Sequence, residues 1–99
     1  MRGKLFVALA SLLSGEVLAS SLSDQYPGPW VYDFSNTITT ALVEAKVKGC
    51  GIYKYRLSSG SKSEFLVYCS RDNEHWKAYM VWPNIHKVLG PYTPDDSLR

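Results

Sequence analysis

Two cysteines, Cys50 and Cys69, flank a run of turn-forming residues, Ser58-Ser59-Gly60-Ser61, with apolar and aromatic segments on either side. Ile52 to Leu57 and Phe65 to Cys69 are rich in the β-branched and aromatic residues that suit a pleated, half-buried surface, and the serines and glycine between them supply turn chemistry. A two-residue turn at Ser59-Gly60 sets Ser58 opposite Ser61 and, stepping outward along both strands, Cys50 opposite Cys69. Residues facing each other in an antiparallel pair have Cα atoms about 4.5–5.5 Å apart, within reach of a disulfide. That register also places Ile52 beside Val67 on the cysteine face and Tyr53 beside Leu66 on the other, with Tyr55 and Leu57 nearby. Apolar residues then lie on both faces, so one packs on a helix and the other is covered by neighbouring chain.

A structural disulfide belongs to an oxidising compartment, and the N-terminus reads as an export signal. Arg2 and Lys4 supply a positive start, Leu5 to Leu13 a short apolar run, and Val17-Leu18-Ala19 the compact residues a signal peptidase accepts, which predicts a signal peptide over 1–19 and a secreted protein. The apolar run is too short to span a bilayer. Removing 1–19 from the 99-residue chain leaves 80 residues, 20–99, as one small domain. A core of that size supplies little net stability without a staple. Closing the loop between Cys50 and Cys69 contributes about 3 kcal/mol. An even cysteine count in an exported chain favours this use over a metal site or a catalytic thiol, and neither metal nor cofactor is expected.

The whole chain carries eleven Lys and Arg against nine Asp and Glu; the leader takes Arg2, Lys4 and Glu16 with it, leaving nine against eight. A near-neutral domain is no electrostatic magnet for nucleic acid. The sequence holds no second hydrophobic segment, internal repeat or Asn-x-Ser/Thr acceptor, so a monomer free of the membrane after cleavage is expected.

Ser20 to Pro29 is a polar lead-in punctuated by proline and glycine, and Trp30-Val31-Tyr32-Asp33-Phe34 alternates as a short strand does. Ser35 or Asn36 caps a helix in which Ile38, Ala41, Leu42 and Ala45 form an apolar stripe, with Gly49 placed to end it. Glu44 and Lys48, four apart, are expected to pair on its outer side. A third strand, Trp76 to Trp82, alternates Trp76, Ala78, Met80 and Trp82 with Lys77, Tyr79 and Val81. Pro83 to Arg99 reads as a proline-broken tail. The predicted fold is α+β, one helix packed on a small antiparallel sheet with a single disulfide.

Candidate chemistry is sparse. His75 and His86 are the only histidines, and Glu64, Glu74, Arg56 and Arg71 are the companions available for acid–base work on a phosphodiester, which needs a base, an acid and a cation for the phosphorane. Glu74 and His75 fall in a turn and His86 in a loop, where polar residues are ordinary. No spacing ties them together. Lys46, Lys48, Lys54, Arg56 and Lys62 lie close in sequence to Tyr53 and Tyr55, a composition that can hold a single strand by phosphate pairing and base stacking. A solvated face has the same composition.

The order of these features resembles the guanyl-specific fungal ribonuclease family: an exported small domain, a Tyr-x-x opening at Tyr32-Asp33-Phe34, one helix, a sheet, then Trp82-Pro83 followed by Tyr92, Pro94, Asp96 and Arg99. The resemblance implies a ribonuclease-like scaffold, with Arg99 matching a phosphate-binding residue. Where the family carries its catalytic glutamate, before the aromatic-Pro pair, this chain has Val81. The Tyr-Pro-His motif has no counterpart, and the sequence stops before a strand bearing a second histidine. An inactive version is thereby implied, similar to the ribonuclease-like secreted effectors of plant-pathogenic fungi. Their opening Tyr-x-Cys lacks its cysteine here, so Cys50–Cys69 is a different staple.

The resulting expectation is a non-enzymatic virulence effector that binds a host protein, an immune receptor or, more weakly, RNA, with uptake into host cells as a further step. Its expected binding surface is Tyr53, Lys54, Tyr55, Arg56, Asn84, His86 and Tyr92. The competing readings are an active small ribonuclease using Glu64, His75 or His86 with Arg56, and a stapled secreted protein of an unrelated β fold.

Overall fold

The computed structural model describes residues 21–98; the expected signal peptide and Arg99 lie outside them. The domain is α+β, with a four-stranded antiparallel sheet, two helices and one disulfide. In chain order the elements are α1 (Leu22–Gln25), α2 (Asn36–Glu44), β1 (Ile52–Leu57), β2 (Phe65–Ser70), β3 (Trp76–Trp82), a 3-10 turn (Pro83–Ile85), β4 (Lys87–Tyr92) and a second 3-10 turn (Asp96–Leu98). The strands are ordered β1-β2-β3-β4. No helix among the described residues is long and apolar enough to cross a membrane.

Ser35 caps α2, its Oγ accepting from the Ile38 N–H at 3.2 Å. Ile38, Ala41 and Leu42 are buried against Val67, Cys69, Tyr79 and Val81 of the sheet. Each large side chain fully withdrawn from water there contributes about 1.5–3 kcal/mol. Tyr53 fixes the start of the helix to β1: its hydroxyl accepts from the Ser35 N–H at 2.8 Å, donates to the Ser35 carbonyl at 3.0 Å and lies 2.8 Å from Thr39 Oγ1. The helix ends at Glu44, short of Gly49, so Ala45 is exposed and the Glu44–Lys48 pair does not form. Lys46 turns the chain with φ of 59°, and Glu44 meets His86 instead, Oε1 to Nδ1 at 3.0 Å.

The disulfide joins Cys50 to Cys69 with Cα atoms 4.5 Å apart, as expected, but the expected register is wrong. Cys69 faces Tyr53, and Cys50 reaches it from outside β1. The connection is a loop from Ser58 to Glu64, closed by Ser58 N–H donating to the Glu64 carbonyl at 2.9 Å. Its serines satisfy its own backbone, Ser58 Oγ accepting from Gly60 N–H at 3.0 Å and Ser61 Oγ from Ser63 N–H at 3.2 Å. Cys69 is opposite a residue three positions further along β1 than expected, and because side chains alternate with period two an odd displacement swaps faces. Tyr53 and Tyr55 therefore turn toward α2, while Ile52, which faces Ser70 rather than Val67, is exposed.

Two further expectations are corrected. Trp30 to Phe34 forms no full strand; Val31 alone bridges to Tyr55, with N–H···O bonds of 2.8 and 3.0 Å. The tail contributes β4, which pairs with β3 through a register irregularity between Ala78 and Met80. Gly90, φ 135°, permits that approach, since a Cβ there would meet Tyr79 Cδ2 at 2.7 Å and the Ala78 carbonyl at 2.8 Å.

The far face of the sheet has its own core: Leu66, Tyr68 and Ala78 under Tyr26 from the lead-in and Leu98 from the tail. Trp30 Nε1–H donates to the Leu98 carbonyl at 2.8 Å, and Ser59 N–H to the Gln25 carbonyl at 2.8 Å.

Candidate functional site

Alternation along β1 sends Lys54 and Arg56 to the far face, away from Tyr53 and Tyr55. Lys54 Nζ lies 4.8 Å from the Trp30 ring centroid, 4.7 Å from Trp76 and 5.9 Å from Tyr68, and Arg56 Cζ lies 4.4 Å from Trp30. Such contacts are worth about 0.5–2 kcal/mol each, more as water is removed. Burial, and secondarily the neighbouring guanidinium of Arg56, push the Lys54 ammonium below its ordinary pKa. Arg56 Nη1–H donates to the Tyr26 carbonyl at 3.2 Å, while its Nε is buried without a hydrogen-bond partner.

A cavity of about 330 Å³ opens beside Lys54, walled by Tyr68 and Trp76 and rimmed by Glu74 and the tail from Thr93 to Asp96. The tail is held by Tyr68, whose hydroxyl accepts from Asp95 N–H at 2.9 Å; burial raises the Tyr68 pKa. Asp95 is held below the ordinary carboxylate range by the side-chain hydroxyl and backbone N–H of Ser97. The cavity thus joins apolar aromatic walls to one partly buried cation and a carboxylate rim.

Glu64, His75 and His86 do not converge, although Glu74 and His75 share one turn and Arg71 and His75 line one cavity. Glu64, at the β1–β2 loop, accepts from the Tyr26 hydroxyl on the far face, and burial, reinforced by that carboxylate, raises the Tyr26 pKa well above its usual range. His75 sits at the opposite end of the sheet in the β2–β3 turn, Nδ1 2.6 Å from Asp72 Oδ2. His86 is at the same end as Glu64 but on the helix side, bonded to Glu44. Val81, where the ribonuclease resemblance puts a proton acceptor, is fully buried against α2.

Asp72, Glu74 and His75 bring potential ligand atoms within 4.8 Å of one another, all exposed. Their approach has a local cause: Asp72 Oδ1 accepts from Ser70 Oγ at 3.1 Å, Glu74 N–H at 2.9 Å and His75 N–H at 2.8 Å. The His75 backbone and ring, with the Glu74 N–H, hold the Asp72 carboxyl far below its ordinary pKa.

The seven residues expected to form one binding surface divide between two. Lys54, Arg56 and Tyr92 share the far face, with Lys54, Tyr68, Ala78 and Tyr92 in one row across the strands. Tyr53 serves the helix cap, Tyr55 packs edge-on against Phe65 with centroids 5.8 Å apart, and Asn84 lines a separate cavity with Tyr55. His86, exposed with φ 53°, ends the 3-10 turn. The five basic residues grouped by sequence likewise form no continuous patch, since Lys46 and Lys48 follow α2 and Lys62 sits in the β1–β2 loop. The aromatic frame of Trp30, Tyr68 and Trp76 was absent from the expected site. No family model, curated protein or solved structure matches this chain.

Proposed function

We propose that this chain is an exported recognition domain without catalytic activity. The observation that carries the reading is the contrast just drawn: Glu64, His75 and His86 are held apart in capping and bracing roles, while Lys54 and Arg56 are set among aromatic rings beside a cavity. Tryptophan, tyrosine and arginine are the residues that dominate binding energy at protein interfaces. A protein ligand is favoured over RNA because Glu74, Asp95 and Asp96 rim the same cavity and repel phosphates.

More specifically, we propose a secreted effector on a ribonuclease-like scaffold, of the kind plant-pathogenic fungi release, that binds a host protein and whose binding face a host immune receptor reads, with uptake into host cells as part of its route. A helix packed on an antiparallel sheet and an aliphatic residue in place of the proton acceptor support that reading. Purified protein incubated with RNA should leave it intact. In plant tissue expressing the protein, Lys54→Ala with Trp76→Ala should abolish the host response while the fold, checked by circular dichroism, persists. RNA cleavage that Glu64→Ala removes, or a response unchanged by the double substitution, would falsify the proposal.

A further inference from the structure

A third cavity, of about 230 Å³, opens on the helix side of the sheet beyond the end of α2, at the disulfide. Three cations from three segments line it: Lys48 from the chain after α2, Arg71 just past β2, and Lys77 on β3. Lys77 faces Cys69 across the strands. The Cys50–Cys69 bond therefore fixes the spacing between the segments that carry Lys48 and Arg71. Gly49 contributes by what it lacks: a Cβ there would stand 2.7 Å from Arg71 Nε, so the guanidinium lies directly over the backbone.

Lys48, Arg71 and Lys77 make no salt bridge among the described residues; Asp72 and Glu44 instead meet the imidazoles of His75 and His86. The one carboxylate on the cavity wall, Asp72, is already turned inward to the hydroxyl, backbone N–H groups and imidazole of its own turn. Three cations against one carboxylate leave net positive charge in a concavity, where low-dielectric walls concentrate its field.

We propose that this cavity is a binding site for a phosphomonoester group. It is smaller than the ~300–1,000 Å³ of drug-sized ligand sites and suits a single tetrahedral anion. A phosphomonoester presents about −1.5 to −2 charge and three acceptor oxygens, matching three cations, one of them a planar guanidinium able to bond two oxygens at once. A nucleic-acid strand brings one charge per phosphate and needs a continuous basic track, which the placement of Lys54 and Arg56 on the far face denies it. The site is independent of the recognition face above.

The test is a titration of the ¹⁵N-labelled protein with methyl phosphate and, in parallel, methyl sulfate, which has the same shape and one charge. Methyl phosphate should give saturable shifts at the amides of Gly49, Arg71 and Lys77, with binding several-fold tighter than methyl sulfate. Arg71→Gln with Lys77→Gln, both at exposed positions, should weaken it at least about tenfold, the cost of losing charge-assisted bonds; Lys54→Gln should leave it unchanged. Phosphoserine and a nucleoside 5′-monophosphate then distinguish the carriers of the group. Linear, unsaturated shifts shared by both anions would mean ionic screening alone and overturn the proposal. So would equal affinity for an RNA oligonucleotide lacking a terminal phosphate.

Discussion

The two faces of the sheet are closed by different means. On one, a capped helix lays Ile38, Ala41 and Leu42 over Val67, Tyr79 and Val81, and a disulfide pins the chain that follows the helix. On the other, no long helix lies among the described residues; short pieces of lead-in and tail supply Tyr26, Trp30 and Leu98, and charged side chains are admitted among the rings. The first arrangement keeps charged side chains out of its core and admits polar groups at its edge, where the Tyr53 hydroxyl meets the helix cap. The second tolerates Lys54, Arg56 and Glu64 by giving them aromatic and backbone partners. The proposed protein-recognition face is accordingly the loosely roofed one, while the helix-covered one holds the uniform core.

The sharpest way to break that division is to place a carboxylate on the helix side. Val81→Glu puts an unpaired charge into a fully buried site and should cost about 3–5 kcal/mol, read by urea denaturation, without creating ribonuclease activity. A stable variant that cleaves RNA would show that this face is the catalytic one. Replacing both Cys50 and Cys69 by serine should cost about 3 kcal/mol through the freed loop, with the midpoint of thermal unfolding falling while the sheet signal survives at low temperature. On the other face, Leu98→Ala should cost about 2 kcal/mol, the low end for a buried leucine, because the tail can settle into the space. Hydrogen exchange should then quicken around Trp30 and leave α2 unaffected; acceleration of both would mean that the faces are not separable.

The smallest effect is a pH dependence confined to the far face. Tyr26 has its pKa raised above the ordinary value of 10.0, so the stability it contributes is complete below that value and is lost as pH rises past it, where the unfolded chain alone gives up its proton. Stability should therefore decline as pH rises above about 10 more steeply in the wild type than in Tyr26→Phe. Parallel slopes would remove Tyr26 from the account.

The helix was legible because its signals are local: Ser35 is in capping position and Ile38, Ala41 and Leu42 have helical spacing. Disulfide pairing was legible too, but strand register was not, since a serine-rich segment announces a turn without stating its length. The β4 strand was hidden by Gly90-Pro91, which reads as punctuation and is tolerated because β4 is an edge strand with an irregular register. At the site, alternation alone was enough to separate Lys54 and Arg56 from Tyr53 and Tyr55, whatever the register. Their aromatic frame could not be read in advance, because Trp30 comes from the lead-in and Trp76 from β3, far apart in sequence and sharing no motif with β1.

The hydrogen bond from the Trp30 indole to the Leu98 carbonyl makes that ring a natural optical gauge. Loosening of the last turn frees the indole N–H to meet solvent, so once Trp76 and Trp82 are replaced by phenylalanine the emission of Trp30 follows the latch between lead-in and tail, with no added label.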